Sequence, residues 1–273
     1  MTRLKLGMTI GIDKFDDGLA DVKRLGFPTA QMGCGDGTNL TESRARELAG
    51  KARNAGIEIT SVWPGYSGKM RWAYSREAPP SVGLVPPETR AERLGYFKRA
   101  SDFARWMGVK YIAQHVGYIP EDPSDPLYGG FLDCLRELAD HCWANDEQWF
   151  CFETGQETPI ALLRTIQDVG RPNLGVNYDT ANHILYGKAN PVDALDMLGQ
   201  YVKGVHAKDG LYPTDGYKLG KEKPLGEGKV DFPAFFRRLH ELGYAGAITL
   251  ECELKGDRDQ AIQKAKTLLE KYA

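Results

Sequence analysis

The fold is decided by the stretch WFCFETGQETPIALLRTIQDVGRPNLGVNYD, residues 149–179. Residues 149–153 and 174–179 are short apolar runs rich in aromatic and β-branched residues, as expected of buried strands. The residues between them carry apolar side chains at helical spacing and end on Gly170, which suits the left-handed position after a helix. The stretch therefore predicts a strand, a helix and a second strand, and each strand ends on a carboxylate.

The same unit recurs along the whole chain. A glycine stands between each predicted helix and the following strand, except that Asn145 takes this place before residues 149–153. The other glycines and the predicted strands that follow them are Gly26 with 29–34, Gly56 with 57–63, Gly108 with 111–116, Gly199 with 202–208 and Gly243 with 247–253. With residues 4–10 at the start, the chain is predicted to contain eight strand–helix units.

Eight alternating units favour a closed (β/α)8 barrel of the TIM type. Alternation of strands and helices requires parallel strands with helical crossovers, and eight units in roughly 250 residues match the size of such a barrel. A doubly wound open sheet is the main rival, but it would place a glycine-rich phosphate loop after the first strand, and residues 11–15 are not one. No linker is visible, so residues 1–273 are predicted to form one domain.

Composition excludes several classes of protein. The 35 basic and 37 acidic side chains leave a net charge of −2 without a long basic run, so a nucleic-acid partner is not expected. The 5 cysteines are scattered and odd in number, which argues against a disulfide framework or a zinc ribbon. No apolar run is long enough for a membrane span or a secretory leader, and a cytoplasmic protein is expected.

Two segments after strands are longer than the rest, residues 64–87 and 210–230. In a barrel, the loops after strands lie at the C-terminal face, where active sites are built. We expect these insertions to wall or cover a pocket. Variable surface loops are the alternative.

Four polar residues stand near the ends of the last four barrel strands: Glu153, Asp179, His206 and Glu251. The alternation of strand side chains points all four inward, toward the mouth of the barrel. Three carboxylates and an imidazole would be costly to bury together without a compensating cation. Three oxygen ligands and one nitrogen ligand suit Mn2+, Mg2+, Co2+ or Zn2+, so the sequence predicts one divalent metal ion.

These residues resemble a known family. The ordered set of strand-end ligands occurs together with FETGQETP at 152–159, D-x-x-N at Asp179, H-x-K-D at His206 and the Gly226-Glu227-Gly228 loop. The chain thereby resembles the xylose isomerase-like TIM-barrel superfamily, and most nearly its sugar isomerase and epimerase branch, which includes ketose 3-epimerases and inosose dehydratase-like proteins. The resemblance implies a Mn2+-type ion on the four ligands, with Glu153 and Glu251 as the acid/base pair.

The chemistry follows from the residue types. A metal that chelates a carbonyl and the adjacent hydroxyl stabilises the enediolate formed when the proton alpha to the carbonyl leaves. One carboxylate takes the proton and a second returns it, which gives epimerisation or isomerisation of a small ketose or related polyol. A lyase or dehydratase of a keto-sugar or inosose, using the same site, is the alternative.

Further candidates lie near the predicted metal site. Lys208 shares the inward direction of His206 and is a candidate for polarising a substrate oxygen or acting as general acid; a pairing with Asp209 or Glu253 is its structural alternative. His115, at the end of the fourth strand, is a candidate for binding a substrate hydroxyl, with a purely structural histidine as the alternative. Trp63, with Tyr66 beside it, is a candidate for presenting an apolar face to a sugar, and aromatic packing under the long loop is the alternative.

Two more positions follow the predicted ligands on their loops. Glu157, with Gln156, comes after Glu153 and is expected to orient it or to contact the substrate. Asn182 stands three residues after Asp179, where several epimerases of the branch carry a histidine, and it is the candidate for substrate binding there.

Two other classes of function compete with a sugar enzyme. DNA repair endonucleases of the same superfamily resemble a histidine-rich three-metal site, whereas this chain has only 5 histidines and no basic stripe. A non-enzymatic barrel would leave the complete ligand set without a reason. The expected partner is thus a small-molecule sugar, without nucleic acid or membrane, and a homo-oligomer remains open.

Overall fold

The computed structural model describes residues 3–66, 68, 70–252 and 258–273. Eight parallel strands close into a barrel in which β1 pairs with both β2 and the last strand. In chain order the strands are β1 (Lys5–Gly11), β2 (Thr29–Gly33), β3 (Glu58–Trp63), β4 (Tyr111–Gln114), β5 (Trp149–Glu153), β6 (Leu174–Asp179), β7 (Val202–Ala207), the hairpin strands β8 (Asp209–Leu211) and β9 (Lys221–Lys223), and β10 (Ala247–Leu250).

Helices surround this barrel. They are α1 (Phe15–Arg24), α2 (Glu42–Ala55), α3 (Pro87–Met107), α4 (Pro126–Ala144), α5 (Pro159–Val169), α6 (Asn182–Leu185), α7 (Pro191–Leu198), α8 (Phe232–Glu241) and α9 (Arg258–Leu269). Side-chain oxygens cap several N-termini, such as Thr158 at α5 and Asp231 at α8. The predicted (β/α)8 barrel is confirmed.

The main apolar core lies between the barrel and the helices. Phe150, Phe152 and Tyr178 point outward from β5 and β6 and are fully buried there, as their strand parity predicts. Each buried aromatic side chain of this kind contributes roughly 1.5–3 kcal/mol to folding. The last inward positions of the same strands are occupied by Glu153 and Asp179.

Two details of the helix–strand junctions were predicted wrongly. Gly199 has a φ of −56°, in the right-handed region, because the chain continues into a short 3-10 helix. A Cβ at Gly199 would lie 2.4 Å from Leu242 Cδ1, so a larger residue here would have to displace the Leu242 side chain. Asn145 has a φ of −92°, and the positive φ values fall on Asp146 and Glu147.

Both long insertions lie at the C-terminal face of the barrel. Residues 210–230 contain most of an antiparallel hairpin, in which β8 pairs with β9, and this element was not predicted. The two insertions meet where the Arg76 guanidinium lies 5.1 Å from the centre of the Tyr217 ring. In the part of the chain that the structure describes, no helix has the length and apolar character of a membrane span.

Candidate metal centre

Four side chains from four neighbouring strands converge at the C-terminal mouth of the barrel. Glu153 and Asp179 are the last residues of β5 and β6, His206 lies near the end of β7, and Glu251 follows β10 directly. One ligand atom from each of them lies within 4.8 Å of the others. The register of the barrel causes this convergence, since Asp179 pairs directly with His206 across β6 and β7.

Three of the atoms at the centre of the cluster lack a hydrogen-bond partner among the described residues. Glu153 Oε1, Asp179 Oδ2 and His206 Nδ1 are buried and make no well-directed hydrogen bond within the described residues. His206 Nδ1 lies 3.1 Å from Glu153 Oε1 and 2.9 Å from Glu251 Oε2. Buried polar atoms are normally satisfied, and three carboxylates around one nitrogen form a donor set for a divalent cation. The cluster could therefore hold a metal ion.

The electrostatics of the cluster also favour a cation. Burial raises the pKa of Glu153 and raises that of Asp179 well above its usual range. Burial acts against a charged imidazole, but Glu153 and Glu251 outweigh it and raise the pKa of His206 to about 10. Burial also acts to raise the pKa of Glu251, yet Lys208 and His206 hold it well below its usual range. Positive charge at the centre is thus stabilised from several sides.

Lys208 belongs to this cluster. Its Nζ lies 3.3 Å from Glu251 Oε2, and the residue is only 5% exposed. Its backbone is held by Thr180, whose Oγ1 accepts a hydrogen bond from the Lys208 amide. The lysine therefore reaches a metal-ligand candidate. Of the two alternative partners, Asp209 is engaged elsewhere, and Glu253 lies outside the described residues.

Asp209 fastens the second insertion to the barrel. Its two carboxylate oxygens accept hydrogen bonds from the backbone amides of Gly210, Gly226, Gly228 and Val230. A Cβ at Gly228 would lie 2.0 Å from Asp209 Oδ1, so the close approach requires a glycine there. The Gly226-Glu227-Gly228 loop is thus a carboxylate-binding turn, a role that the sequence did not reveal.

A cavity of about 550 Å³ opens beside the cluster. Six residues that the sequence analysis named as site candidates line it: Trp63, Tyr66, His115, Asn182, Lys208 and Glu251. The His115 ring meets Trp72 edge to face at 5.3 Å and Trp63 at 6.1 Å. Burial lowers the pKa of His115 to about 3, so this imidazole is neutral at physiological pH. The cavity combines aromatic faces with a few polar groups, as small-molecule sites do.

The two loop positions differ in placement. Asn182 lines the cavity, while its Nδ2 donates a hydrogen bond to the Thr154 carbonyl. Glu157 is not among the described residues that line the cavity, because its carboxylate turns back to accept a hydrogen bond from the Gly155 amide. Glu157 Oε1 also lies 3.8 Å from His183 Nε2. Contact between Glu157 and a substrate stays a prediction.

Sequence reasoning missed two amides beneath the cluster, Gln31 on β2 and Asn177 on β6. Gln31 Oε1 lies 2.8 Å from both the Trp63 indole nitrogen and His206 Nε2. Asn177 Nδ2 donates a hydrogen bond to Glu153 Oε2 at 2.5 Å. The inward parity of both residues on their strands is the only sequence signal that could have pointed to them.

Comparison with known proteins agrees with this architecture. The family model described as xylose isomerase-like TIM barrel matches residues 19–272. The crystal structure of a xylose isomerase domain protein from Planctomyces limnophilus is 35% identical, with a TM-score of 0.89 over 98% of this chain and 96% of that chain. A D-tagatose 3-epimerase-like protein of known structure is 21% identical, with a TM-score of 0.77 over 98% and 97%, and it supports the fold alone.

Curated proteins show similarity at the sequence level. An uncharacterized protein of Methanocaldococcus jannaschii is 33% identical over 116 residues, a match that spans 42% of this chain and 36% of that protein. The inosose dehydratase of Geobacillus kaustophilus is 24% identical over 271 residues, which covers 87% of this chain and 80% of the dehydratase.

Proposed function

Because the chain belongs to the xylose isomerase-like TIM-barrel family, we propose that it is a divalent-metal-dependent isomerase or epimerase of a small ketose or related polyol. The observation that carries this proposal is the pairing of a four-residue ligand cluster with an aromatic cavity, joined at Glu251. A purely structural metal site would need no such cavity.

We assign Glu153, Asp179, His206 and Glu251 as the residues that would hold the ion. Their three oxygens and one nitrogen suit Mn2+ best among the ions considered, with Mg2+, Co2+ and Zn2+ as substitutes. A divalent ion there would polarise a carbonyl and the adjacent hydroxyl of the substrate and stabilise the negative charge that develops on deprotonation.

Glu251 and Glu153 are suited to opposite halves of a proton transfer. Lys208 and His206 outweigh the effect of burial and hold the pKa of Glu251 low, so this carboxylate stays ionised beside the cavity. Burial raises the pKa of Glu153, so this carboxyl group holds a proton more readily than Glu251 does. A carboxylate that accepts a proton and a carboxyl group that donates one are the pair that epimerisation or isomerisation requires.

The other lining residues would bind and orient the sugar. Trp63 presents an apolar ring face to C–H groups, and neutral His115 offers hydrogen bonds to hydroxyl groups. Lys208 is the one lysine or arginine among the described lining residues, and it lies beside Glu251, with Glu222 also lining the cavity. This charge balance favours an uncharged polyol over a phosphorylated one.

A dehydratase of a keto-sugar or inosose is the second candidate function. The ammonium of Lys208, 3.3 Å from Glu251, could protonate a departing hydroxyl after Glu251 has removed the proton alpha to the carbonyl. The similarity to an inosose dehydratase favours keeping this reaction in the test.

The test incubates the Mn2+-loaded protein with ketoses, aldoses and inososes in D2O and follows the products by NMR. Deuterium entering the carbon alpha to the carbonyl, with the sugar formula retained, supports the isomerase or epimerase; loss of water supports the dehydratase. Lys218→Met changes an exposed lysine on the turn of the second insertion. This variant serves as the control, and its turnover should equal that of the parent. Absence of both exchange and elimination across the panel would contradict the proposal.

A further inference from the structure

We propose that Trp63 and Gln31 are positioning residues that fix which imidazole nitrogen of His206 faces the metal centre. Trp63 Nε1 donates to Gln31 Oε1 at 2.8 Å, and His206 Nε2 lies 2.8 Å from the same oxygen. Gln31 Nε2 donates to Asn177 Oδ1 at 3.0 Å, and Asn177 donates in turn to Glu153 Oε2. One network thus links the indole to two ligands on different strands.

The direction of this network is set by the indole. Tryptophan Nε1 can only donate, so the group of Gln31 that faces it must be the acceptor oxygen. A reversed Gln31 amide would oppose its NH2 to the indole N–H, and a reversed Asn177 amide would oppose its oxygen to the Glu153 carboxylate. Only one orientation of the two amides satisfies every member, and unsatisfied buried groups cost about 1–3 kcal/mol each.

The consequence falls on His206. Because Gln31 presents an oxygen, His206 Nε2 must carry a hydrogen and donate it. The other nitrogen, Nδ1, is then the one that lies between Glu153 Oε1 and Glu251 Oε2, at 3.1 and 2.9 Å. A metal-binding histidine commonly uses a hydrogen bond from its second nitrogen to fix its ligating one, and loss of such a partner costs roughly 10–100-fold in metal affinity.

Trp63 makes a second contact with His206 that must be separated from the first. The two rings stack at 5.0 Å between centroids with an interplanar angle of 14°. Trp63→Phe keeps an aromatic ring at this position but removes the N–H, so it tests the hydrogen bond in particular. Trp143→Phe on α4, half-exposed and remote in the fold, is the matched control.

The experiment measures metal binding and tautomer state, so it does not depend on turnover or on the proposed reaction. Titration calorimetry with Mn2+ should show affinity reduced about 10–100-fold in Trp63→Phe and unchanged in Trp143→Phe. In the 15N spectrum of the Zn2+-loaded parent, His206 should carry its hydrogen on Nε2; in Trp63→Phe this preference should weaken. Parent-like affinity together with a parent-like His206 spectrum would overturn the proposal.

A second pair of variants tests the same idea at Gln31. Gln31→Glu still accepts from Trp63 and His206, so the Nε2 hydrogen of His206 should be retained. Gln31→Leu removes the acceptor, and the preference should be lost together with metal affinity. Indistinguishable His206 spectra in these two variants would show that the amide oxygen does not set the tautomer, whether or not Trp63→Phe folds.

Discussion

Lys208 and Glu251 form an ion pair at the mouth of the barrel, with Nζ 3.3 Å from Oε2. The lysine side chain is almost fully buried, whereas that of Glu251 is 20% exposed and lines the cavity. The pair joins the residue that follows β7 to the residue that follows β10. It keeps a carboxylate ionised beside the cavity, as a general base requires.

Replacing Lys208 by methionine should lower kcat/KM by about 100- to 10,000-fold, the usual range for losing an acid/base or polarising group. The pKa of Glu251 should rise because one of the two cations that hold it down is gone. The acidic limb of the pH–rate profile should therefore move to higher pH. An acidic limb at the parental pH would show that Lys208 does not control Glu251.

Removal of the metal should destabilise the protein. A ligand present at about 100 times its Kd stabilises the folded state by about 2.7 kcal/mol, so chelation should lower Tm measurably. Asp179→Asn should abolish most of this response, and elemental analysis of the loaded parent should give about one ion per chain. Equal melting curves with Mn2+ and with EDTA would count against the site.

His115 should make the protein sensitive to acid. Its pKa is about 3 in the folded protein and about 6.5 in the unfolded chain, so the unfolded chain takes up the proton first as pH falls. Stability is therefore lost between pH 6.5 and 3, by about 2 kcal/mol at pH 5. Urea unfolding of His115→Gln should depend less on pH in this window than that of the parent. Parallel curves would refute the neutral, buried imidazole.

Asp209→Ala should release the hairpin of the second insertion. Four backbone amides lose a charged acceptor. Hydrogen bonds to charged groups contribute about 1.5–3 kcal/mol each and water replaces part of them, so we expect a loss of at least about 3 kcal/mol of stability. Limited proteolysis should cleave within residues 212–220 faster than in the parent. Asp215→Ala, on the exposed turn between the hairpin strands, should change neither stability nor cleavage to this extent.

Glu251→Gln separates metal binding from proton transfer. The amide keeps a ligating oxygen and the shape of the side chain but is no base, so turnover should fall about 100- to 10,000-fold at saturating Mn2+. Metal affinity should fall less. Deuterium incorporation from D2O should decline in step with turnover. Parental activity in this variant would move the role of base to Lys208 or His115.

The sequence by itself determined the barrel and the four ligand candidates. Apolar runs, helical spacing and helix-ending glycines are local signals, and eight such units allow few other folds. Strand parity is local as well, so Glu153, Asp179, His206 and Glu251 could be placed inward before any contact was known. The two wrong junctions have different causes: at Gly199 the chain continues into a short 3-10 helix, and after Asn145 the positive φ values fall on the next two residues.

Only the tertiary structure decided which side chains meet. Gln31 lies 175 residues from His206 in the chain, and their contact exists because the barrel closes. Lys208 pairs with Glu251 and not with Asp209 because the barrel brings the ends of β7 and β10 together. The hydrogen bonds between Asp209 and the glycine loop form because the second insertion folds back onto the end of β7. Partner choice between distant polar groups depends on how the barrel closes, which strand parity alone does not give.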